Sequence, residues 1–254
     1  VILSKDGLAV EEISQKPAFT GTSYEGNYGV EDPRITKIGS KYYMTYVTVS
    51  THEGVSTNLA TSRKCTKWER KGIIFREQNK DTVLLPGKCK NKYVALHRPE
   101  GFFEFSKPSI WIAYSPDTIY WGKEKVLLHP RSQAWDDSRI GSGAPPIKTK
   151  QGWLTIYHGV KQTKKGKVYS AGALLLDRKN PEKILARSPR NKPLFKPIKR
   201  WEKEGFVNQV VFPTGVVVDK NKKDLLIYYG GADSVVGVTK IGKDEIFEHM
   251  EYYD

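Results

Sequence analysis

Apolar residues along the chain fall into short runs of about four to eight positions, many of them alternating with polar ones. Turns rich in Gly, Pro, Asn, Asp or Lys interrupt the runs about every eight to twelve residues. KIGSKYYMTYV, KYVALHRP, SIWIAYS, GWLTIYHGV, AGALLLD and DLLIYYGG all read as β-strands. The segment 244–251 alone carries a helix signal, and it is short and weakly periodic. An all-β chain follows.

The same order of elements returns about every fifty residues, the length of a propeller blade. Each copy has a polar turn, a Tyr-rich strand, an Ala/Ser strand, an acidic or proline turn and an aromatic-centred last strand. Full copies span 30–74, 81–128, 140–187 and 210–250, and residues 1–12 read as the closing half of a fifth. The Ser4-Lys5-Asp6 turn recurs as Ser115-Pro116-Asp117, which supports the repeat. The expected fold is a five-bladed β-propeller, a single catalytic domain over 1–254 whose first blade is incomplete. Because the chain enters mid-unit at Val1, an N-terminal half-blade is expected to be missing. Radial repetition explains many short strands without long exposed edges, and it brings the inner strands to one axis.

Chemistry is placed first at YGVEDPRIT, residues 28–36. Pro33 fixes its own φ and biases Asp32 away from the helical region, so the carboxylate is expected on extended or turn backbone at a strand mouth, as suits a general acid. The structural alternative is a turn-capping Asp32 with Arg34 paired to Glu31. The same register in the other copies offers Asp81 with His97 and Arg98, then Arg139 with His158, then Asn208 and Asp233. Trp111, Trp121, Trp135 and Tyr169 are available as stacking platforms for a sugar. Each residue has a plainer reading: His158 as a half-buried strand histidine, His97-Arg98 as a loop closure, Asp233 and Asp136-Asp137 as turn caps, Arg70 as the partner of a surface acid.

These residues carry a resemblance. GVEDPRIT, NKDTVLLPGK with KYVALHRPEG, SIWIAYSPDTIYWG, RIGSGAPPIKTKQGWLTIYHGV, AGALLLD, ARSP, VVFPTGVVV and IYYGGAD are together, and in this order, similar to glycoside hydrolase family 130, the β-mannoside phosphorylases. The resemblance implies inverting phosphorolysis of a non-reducing-end β-mannoside to α-mannose 1-phosphate, with inorganic phosphate as co-substrate and no cofactor or metal. It makes Asp32 the proton donor, acting through a hydroxyl of the bound mannose. It assigns Arg70, Arg139, His158 and Tyr169 to phosphate, and Arg34, Arg98 and Asp233 to the substrate. Arg139 stands where many relatives carry lysine, and Ser56, Thr57 and Asn58 occupy a strand where some carry an arginine. A phosphorylase needs one acid opposite a basic cluster, because phosphate arrives as an anionic nucleophile and needs no second carboxylate as base. The alternatives are an inverting β-mannosidase on the same fold and a non-catalytic carbohydrate-binding propeller.

The formal net charge of +14 attracts anions. Its lysines are scattered over turns and no RNA-recognition signature is present, so solubility and a small anionic ligand explain the charge better than nucleic acid. No apolar run approaches the eighteen or so residues that span a bilayer, and no membrane partner is expected. Cys65 and Cys89 lie in unrelated contexts without metal-ligand spacing, which fits free thiols in a reducing, cytoplasmic setting. Oligomeric state is left open, with a homo-oligomer among the options.

Overall fold

The computed structural model describes residues 2–76, 78–101 and 105–253. Its strands form a propeller-like array of four antiparallel sheets and one two-stranded ribbon, so four full blades are present rather than five. The ribbon pairs β1 (Ile2–Leu3) with β2 (Glu12–Ile13). The first sheet is β3 (Gly29–Ile38), β4 (Lys41–Ser50), β5 (Gly54–Ser62) and β6 (Glu69–Phe75), in that order. The second is β7 (Asn79–Leu84), β8 (Tyr93–Pro99), β9 (Ile110–Ser115) and β10 (Gly122–Leu128). The third holds β11 (Arg139–Ser142), β12 (Ile147–Lys148), β13 (Trp153–Thr163), β14 (Gly166–Leu176) and β15 (Ile184–Arg187). The fourth is β16 (Val211–Val218), β17 (Asp224–Gly231) and β18 (Val235–Gly242). A terminal strand, β19 (Glu251–Tyr252), returns to pair with β15. The repeat boundaries read from the sequence fall within two residues of the first three sheets, whereas the fourth, 210–250, runs past β18.

Among the described residues two helices accompany the strands. α2 (Lys243–His249) is the helix expected near the C-terminus. The single turn α1 (Arg200–Lys203) was too short to leave a periodic signal, and the buried Glu202 holds it. The Glu202 carboxylate accepts from the backbone N–H groups of Ile198 and Lys199 and from the Tyr229 hydroxyl.

The turn repeat has a physical basis. In both copies the serine hydroxyl, Ser4 or Ser115, donates to Oδ1 of the aspartate two residues on, at 3.1 Å. That Asp6 or Asp117 oxygen also takes two backbone N–H groups, Leu8 and Ala9 in one case, Ile119 and Tyr120 in the other. The turn therefore satisfies its own backbone without a strand partner.

The apolar core lies between neighbouring sheets. Leu59, Ile74 and Phe75 pack on Leu84, Ala95 and Ala113 between the first and second sheets. Leu96, Ile110 and Ile112 meet Trp135, Trp153, Tyr157 and Leu174 between the second and third. Leu154, Ile156 and Leu175 meet Leu225, Ile227 and Ile246 between the third and fourth. Beyond the fourth sheet, the Tyr228 hydroxyl donates to the Gly7 carbonyl at 2.7 Å and ties down the ribbon. Trp121 and Trp135, expected as sugar platforms, belong to this packing instead. Trp121 lies against Phe75, and Trp135 is buried with its indole N–H on the Pro189 carbonyl. Cys65 and Cys89 are free thiols.

Asp136 is a structural anchor rather than a turn cap. Fully buried, it takes Arg131 through both carboxylate oxygens at 3.1 and 2.9 Å, Arg187 at 2.7 Å and the Tyr157 hydroxyl at 2.9 Å. Removing the carboxylate strands two guanidiniums in a low-dielectric interior. Asp136→Ala is expected to cost about 3–5 kcal/mol in urea unfolding, and a loss under about 1 kcal/mol would show that the network is not an anchor.

His97 makes stability depend on pH. It stacks on Phe75 with ring centroids 4.1 Å apart, and burial lowers its pKa to about 3. Its Nε2 is 3.8 Å from a Glu124 oxygen, but a neutral imidazole forms no ion pair there. Because the unfolded imidazole titrates near 6.5, it binds the extra proton as pH falls, and stability present above about pH 6.5 is lost below it. Burial and the nearby arginines lower His158 in the same direction. The unfolding free energy is expected to fall by about 1–3 kcal/mol between roughly pH 7.5 and 5.5, and by less in His97→Gln. Identical pH profiles for the two proteins would contradict this role.

Candidate active site

β3, β7, β11 and β16 lie nearest the centre, and their ends open on a cavity of about 800 Å³. Local backbone geometry aims the polar groups into it. β3 carries a bulge between Glu31 and Arg34, and Asp32 within it has φ +52°. β7 repeats the device, with a bulge between Lys80 and Val83 and Asp81 at φ +55°. Of the extended or turn backbone expected for Asp32, the extended alternative is ruled out: the residue is left-handed, because the extra bulge residue must turn away from the ladder. Asp tolerates that region better than most residues, at a cost of order 1–3 kcal/mol that the surrounding sheet offsets. Asp233, at φ +53° just after β17, enters the same cavity.

Asp32, Arg98, Arg139, His158, Tyr169 and Asp233 all line this one cavity, together with Glu31, Lys80, Asp81, Glu100 and Phe212. At its floor is a buried charged cluster. Arg98 is 4% exposed, and its Nη1 lies 2.5 Å from Asp81 Oδ2 and 3.1 Å from His158 Nε2. Its Nη2 reaches Glu100 Oε1. Arg98 is thus held between two carboxylates inside the protein. Burial works against the Arg98 charge, yet the Asp81 and Glu100 carboxylates outweigh it and raise the pKa.

His158 is fully buried. Desolvation, and after it the charges of Arg98, Arg34 and Arg139, hold its pKa well below the usual value. A guanidinium can only donate, so the 3.1 Å contact makes Nε2 the acceptor and leaves the proton on Nδ1, a buried donor without a hydrogen-bond partner among the described residues. The His158 and Tyr169 rings stack, with centroids 6.1 Å apart, and Phe212 packs on both.

Arg34 and Arg70 stand elsewhere. Arg34 is 1% exposed and lies outside the cavity lining. Its Nε donates to the Gly143 carbonyl at 2.6 Å, and its guanidinium sits over the Phe212 ring at 5.4 Å. It is a buried cation behind the wall rather than a group in the cavity, and it does not pair with Glu31, which lies 3.7 Å from Lys80. Arg70, on β6, pairs with Glu25 at 3.1 Å and covers the Phe19 ring at 4.3 Å. Together with the Tyr46–Glu25 hydrogen bond it fastens the segment before β3. His97 faces the core, and Asn208 accepts from the Gly205 N–H in an exposed turn. Ser56, Thr57 and Asn58 are buried, and Thr57 bonds to the Asn79 carbonyl.

The expected balance of one acid against a basic cluster is also corrected. Among the described residues five carboxylates line the cavity; sequence reasoning places Asp81 in the converging register without a role of its own and assigns none to Glu31 or Glu100. The Asp81 signal was legible, since it occupies in the second repeat the place of Asp32 in the first. Glu100 follows a strand-ending proline and carried no signal of its own.

Comparison with known proteins decides the family. The glycoside hydrolase family 130 model, described as β-1,4-mannooligosaccharide phosphorylase, matches residues 3–252. The chain belongs to glycoside hydrolase family 130. A 1,2-β-oligomannan phosphorylase of Thermoanaerobacter sp. is 40% identical over 96% of the chain, which spans 78% of that relative. Among solved structures, β-1,2-mannobiose phosphorylase from Listeria innocua in complex with β-1,2-mannobiose superposes with TM-score 0.88 at 36% identity, covering 97% of this chain and 67% of that one. The family also has hydrolytic members. A structure reported for glycoside hydrolases targeting β-1,2-mannosidic linkages in Candida mannan has TM-score 0.81 and 26% identity, covering 95% of this chain and 74% of its own.

Gly141 explains how this family 130 cluster fits together. A Cβ there would lie 2.0 Å from Asp81 Oδ2, 2.5 Å from His158 Cε1 and 2.8 Å from Arg98 Nη1. Gly141→Ala must therefore push the cluster apart and is expected to weaken binding of a test oxyanion such as sulfate about tenfold or more in calorimetric titration, on the scale of a lost charge-assisted contact. Gly87→Ala, whose Cβ would meet only Trp153 at 3.5 Å, serves as control. Equal affinity in the two variants would show that the cluster does not hold anions.

Proposed function

We propose that the protein is an inverting β-mannoside phosphorylase that transfers a non-reducing-end mannosyl unit to inorganic phosphate, giving α-mannose 1-phosphate. The convergence of Asp32 and Asp233 with Arg98, Arg139, His158 and Tyr169 in one cavity supports this reading above all. Asp32 is the proton donor, held by the bulge and by Pro33, and it acts through a mannose hydroxyl. Asp233 holds that mannose. Arg139, Tyr169 and the Nδ1–H of His158 seat the phosphate, and Arg98 braces the seat from the floor. Keeping His158 neutral suits the task, since the imidazole then donates a hydrogen bond without adding a third charge to a crowded basic site.

Linkage is read as β-1,2, because the β-1,2-specific phosphorylases are 36–40% identical to this chain and a β-1,4-mannooligosaccharide phosphorylase is 31% identical. The four sheets and the ribbon are read as a five-bladed propeller in which the ribbon belongs to the first blade. Phosphate is a co-substrate and the reaction calls for no cofactor. Among the described residues no group of three or more His, Cys, Asp or Glu is arranged to hold a metal ion, and no helix is long and apolar enough to cross a membrane. A cytoplasmic location is part of the proposal.

The extra carboxylates raise the hydrolase as a second reading. A hydrolase needs a free base opposite the acid to activate water. Asp81 and Glu100 are held by Arg98, and Glu31 lies beside Lys80, which leaves them poorly placed for that role. The deciding experiment incubates the protein with β-1,2- and β-1,4-mannobiose, with and without phosphate. Mannose 1-phosphate is expected, mainly from the β-1,2 isomer, and turnover should fall about 10²–10⁴-fold in Asp32→Asn. Free mannose released equally fast without phosphate would establish the hydrolase instead.

A further inference from the structure

We infer that Glu100 is a resident anion that occupies the two cavity arginines until phosphate arrives, and that it thereby sets phosphate affinity. The inference rests on the phosphorylase reading of this cavity. Glu100 Oε1 is shared, contacting Arg98 Nη2 and lying 3.8 Å from Arg139 Nη1. With Asp81 on the other side of Arg98, two guanidiniums face two carboxylates, so the cluster is charge-balanced before any ligand enters.

An incoming phosphate must therefore displace a carboxylate to gain the full attraction of the arginines. The two candidates differ in freedom. Asp81 is wedged, with its side chain 1% exposed, its backbone left-handed and the space above Gly141 just large enough for its oxygen. Glu100 is 17% exposed on the cavity wall at the end of β8, and it has one more rotatable bond. Glu100 is the group that can yield. Arg139, 29% exposed and held only at 3.8 Å, is the guanidinium that turns most easily toward a new partner. While the site is empty, Glu100 keeps both cations compensated. Once phosphate is bound, the same carboxylate is a nearby like charge that limits how tightly phosphate stays. Glu100 is thus a positioning residue that acts through the arginines.

The test is Glu100→Gln, which keeps the shape and removes the charge. The KM for phosphate at saturating β-1,2-mannobiose is expected to fall about threefold or more, the effect of removing one unit charge roughly 6 Å away in a water-like dielectric. The KM for mannobiose should move less than about twofold, which a merely structural defect would not achieve. Glu100→Asp, which withdraws the charge by one methylene, should give a smaller gain and guards against failure of the first variant to fold. Calorimetric titration of both variants with inorganic phosphate reads the same change without turnover. An unchanged or raised phosphate KM would overturn the proposal, a rise meaning that Glu100 accepts a hydrogen bond from protonated phosphate. If the parent protein makes no mannose 1-phosphate yet phosphate binding tightens in Glu100→Gln, the functional reading fails and the role of Glu100 stands.

Discussion

The structure depends on keeping charge buried at the axis of a ring of sheets. Apolar faces between adjacent sheets can be filled by Leu, Ile and aromatic side chains, but the strand ends at the centre converge without a common apolar face. The chain fills that space with Arg34, Asp81, Arg98 and His158, all nearly or fully buried. Such groups are tolerable only if each is paired or hydrogen-bonded. Arg98 meets the condition through Asp81, Glu100 and His158, and Arg34 through the Gly143 carbonyl and the Phe212 ring. The Arg98–His158 contact and both Arg34 contacts cross between sheets, so the polar centre also joins the blades. The Arg34 contacts alone connect β3 with β16 and with the turn after β11.

Backbone strain is where fold and chemistry meet. A strand that stayed regular would point alternate side chains up and down the sheet and could not deliver a carboxylate along the axis. The bulges in β3 and β7 solve this at the cost of a left-handed aspartate in each. The two copies then diverge in partner. Asp81 is taken by Arg98, whereas Asp32 is half-exposed and has no ion pair to an arginine or lysine among the described residues. One repeated device thus yields a structural carboxylate and an available one.

Much of this was legible in the sequence, and the parts that were not share a cause. The repeat length, the strand pattern and the Ser-x-Asp turns set out the four sheets, because each depends on local periodicity. Asp32, Arg98, Arg139, His158 and Asp233 could be brought together because radial repeats place equivalent positions at one centre, whereas Tyr169 was placed at the phosphate only by the family resemblance. Arg70 and Arg34 could not be judged the same way. Arg34 sits in the right register, and only the direction of its long side chain takes it to a backbone carbonyl instead of the cavity, whereas Arg70 lies on β6, the far strand of its sheet, and reaches Glu25. Asp136 read as a turn residue because its three partners, Arg131, Tyr157 and Arg187, are scattered over more than fifty positions. The left-handed backbone of Asp32 was hidden for a related reason. The residue before a proline is ordinarily extended, and only the pairing of β3 with β4 imposes the bulge.

The surplus of basic residues explains less about the site than it first suggests. A net charge of +14 draws small anions toward the molecule from any direction. Among the described residues the cavity carries Lys80, Arg98 and Arg139 against Glu31, Asp32, Asp81, Glu100 and Asp233, a balance that does not favour an anion. Discrimination must come from which of these charges are already spent. Asp81 is neutralised at the floor, Glu31 lies beside Lys80, and Glu100 is shared between two arginines. What remains uncommitted is the buried imidazole of His158 with an unpartnered Nδ1, the partly exposed guanidinium of Arg139, and the Asp32 and Asp233 carboxylates. On the proposed reading, phosphate and the mannosyl unit would draw on different groups of this one cavity, the division of partners that a direct transfer between them calls for.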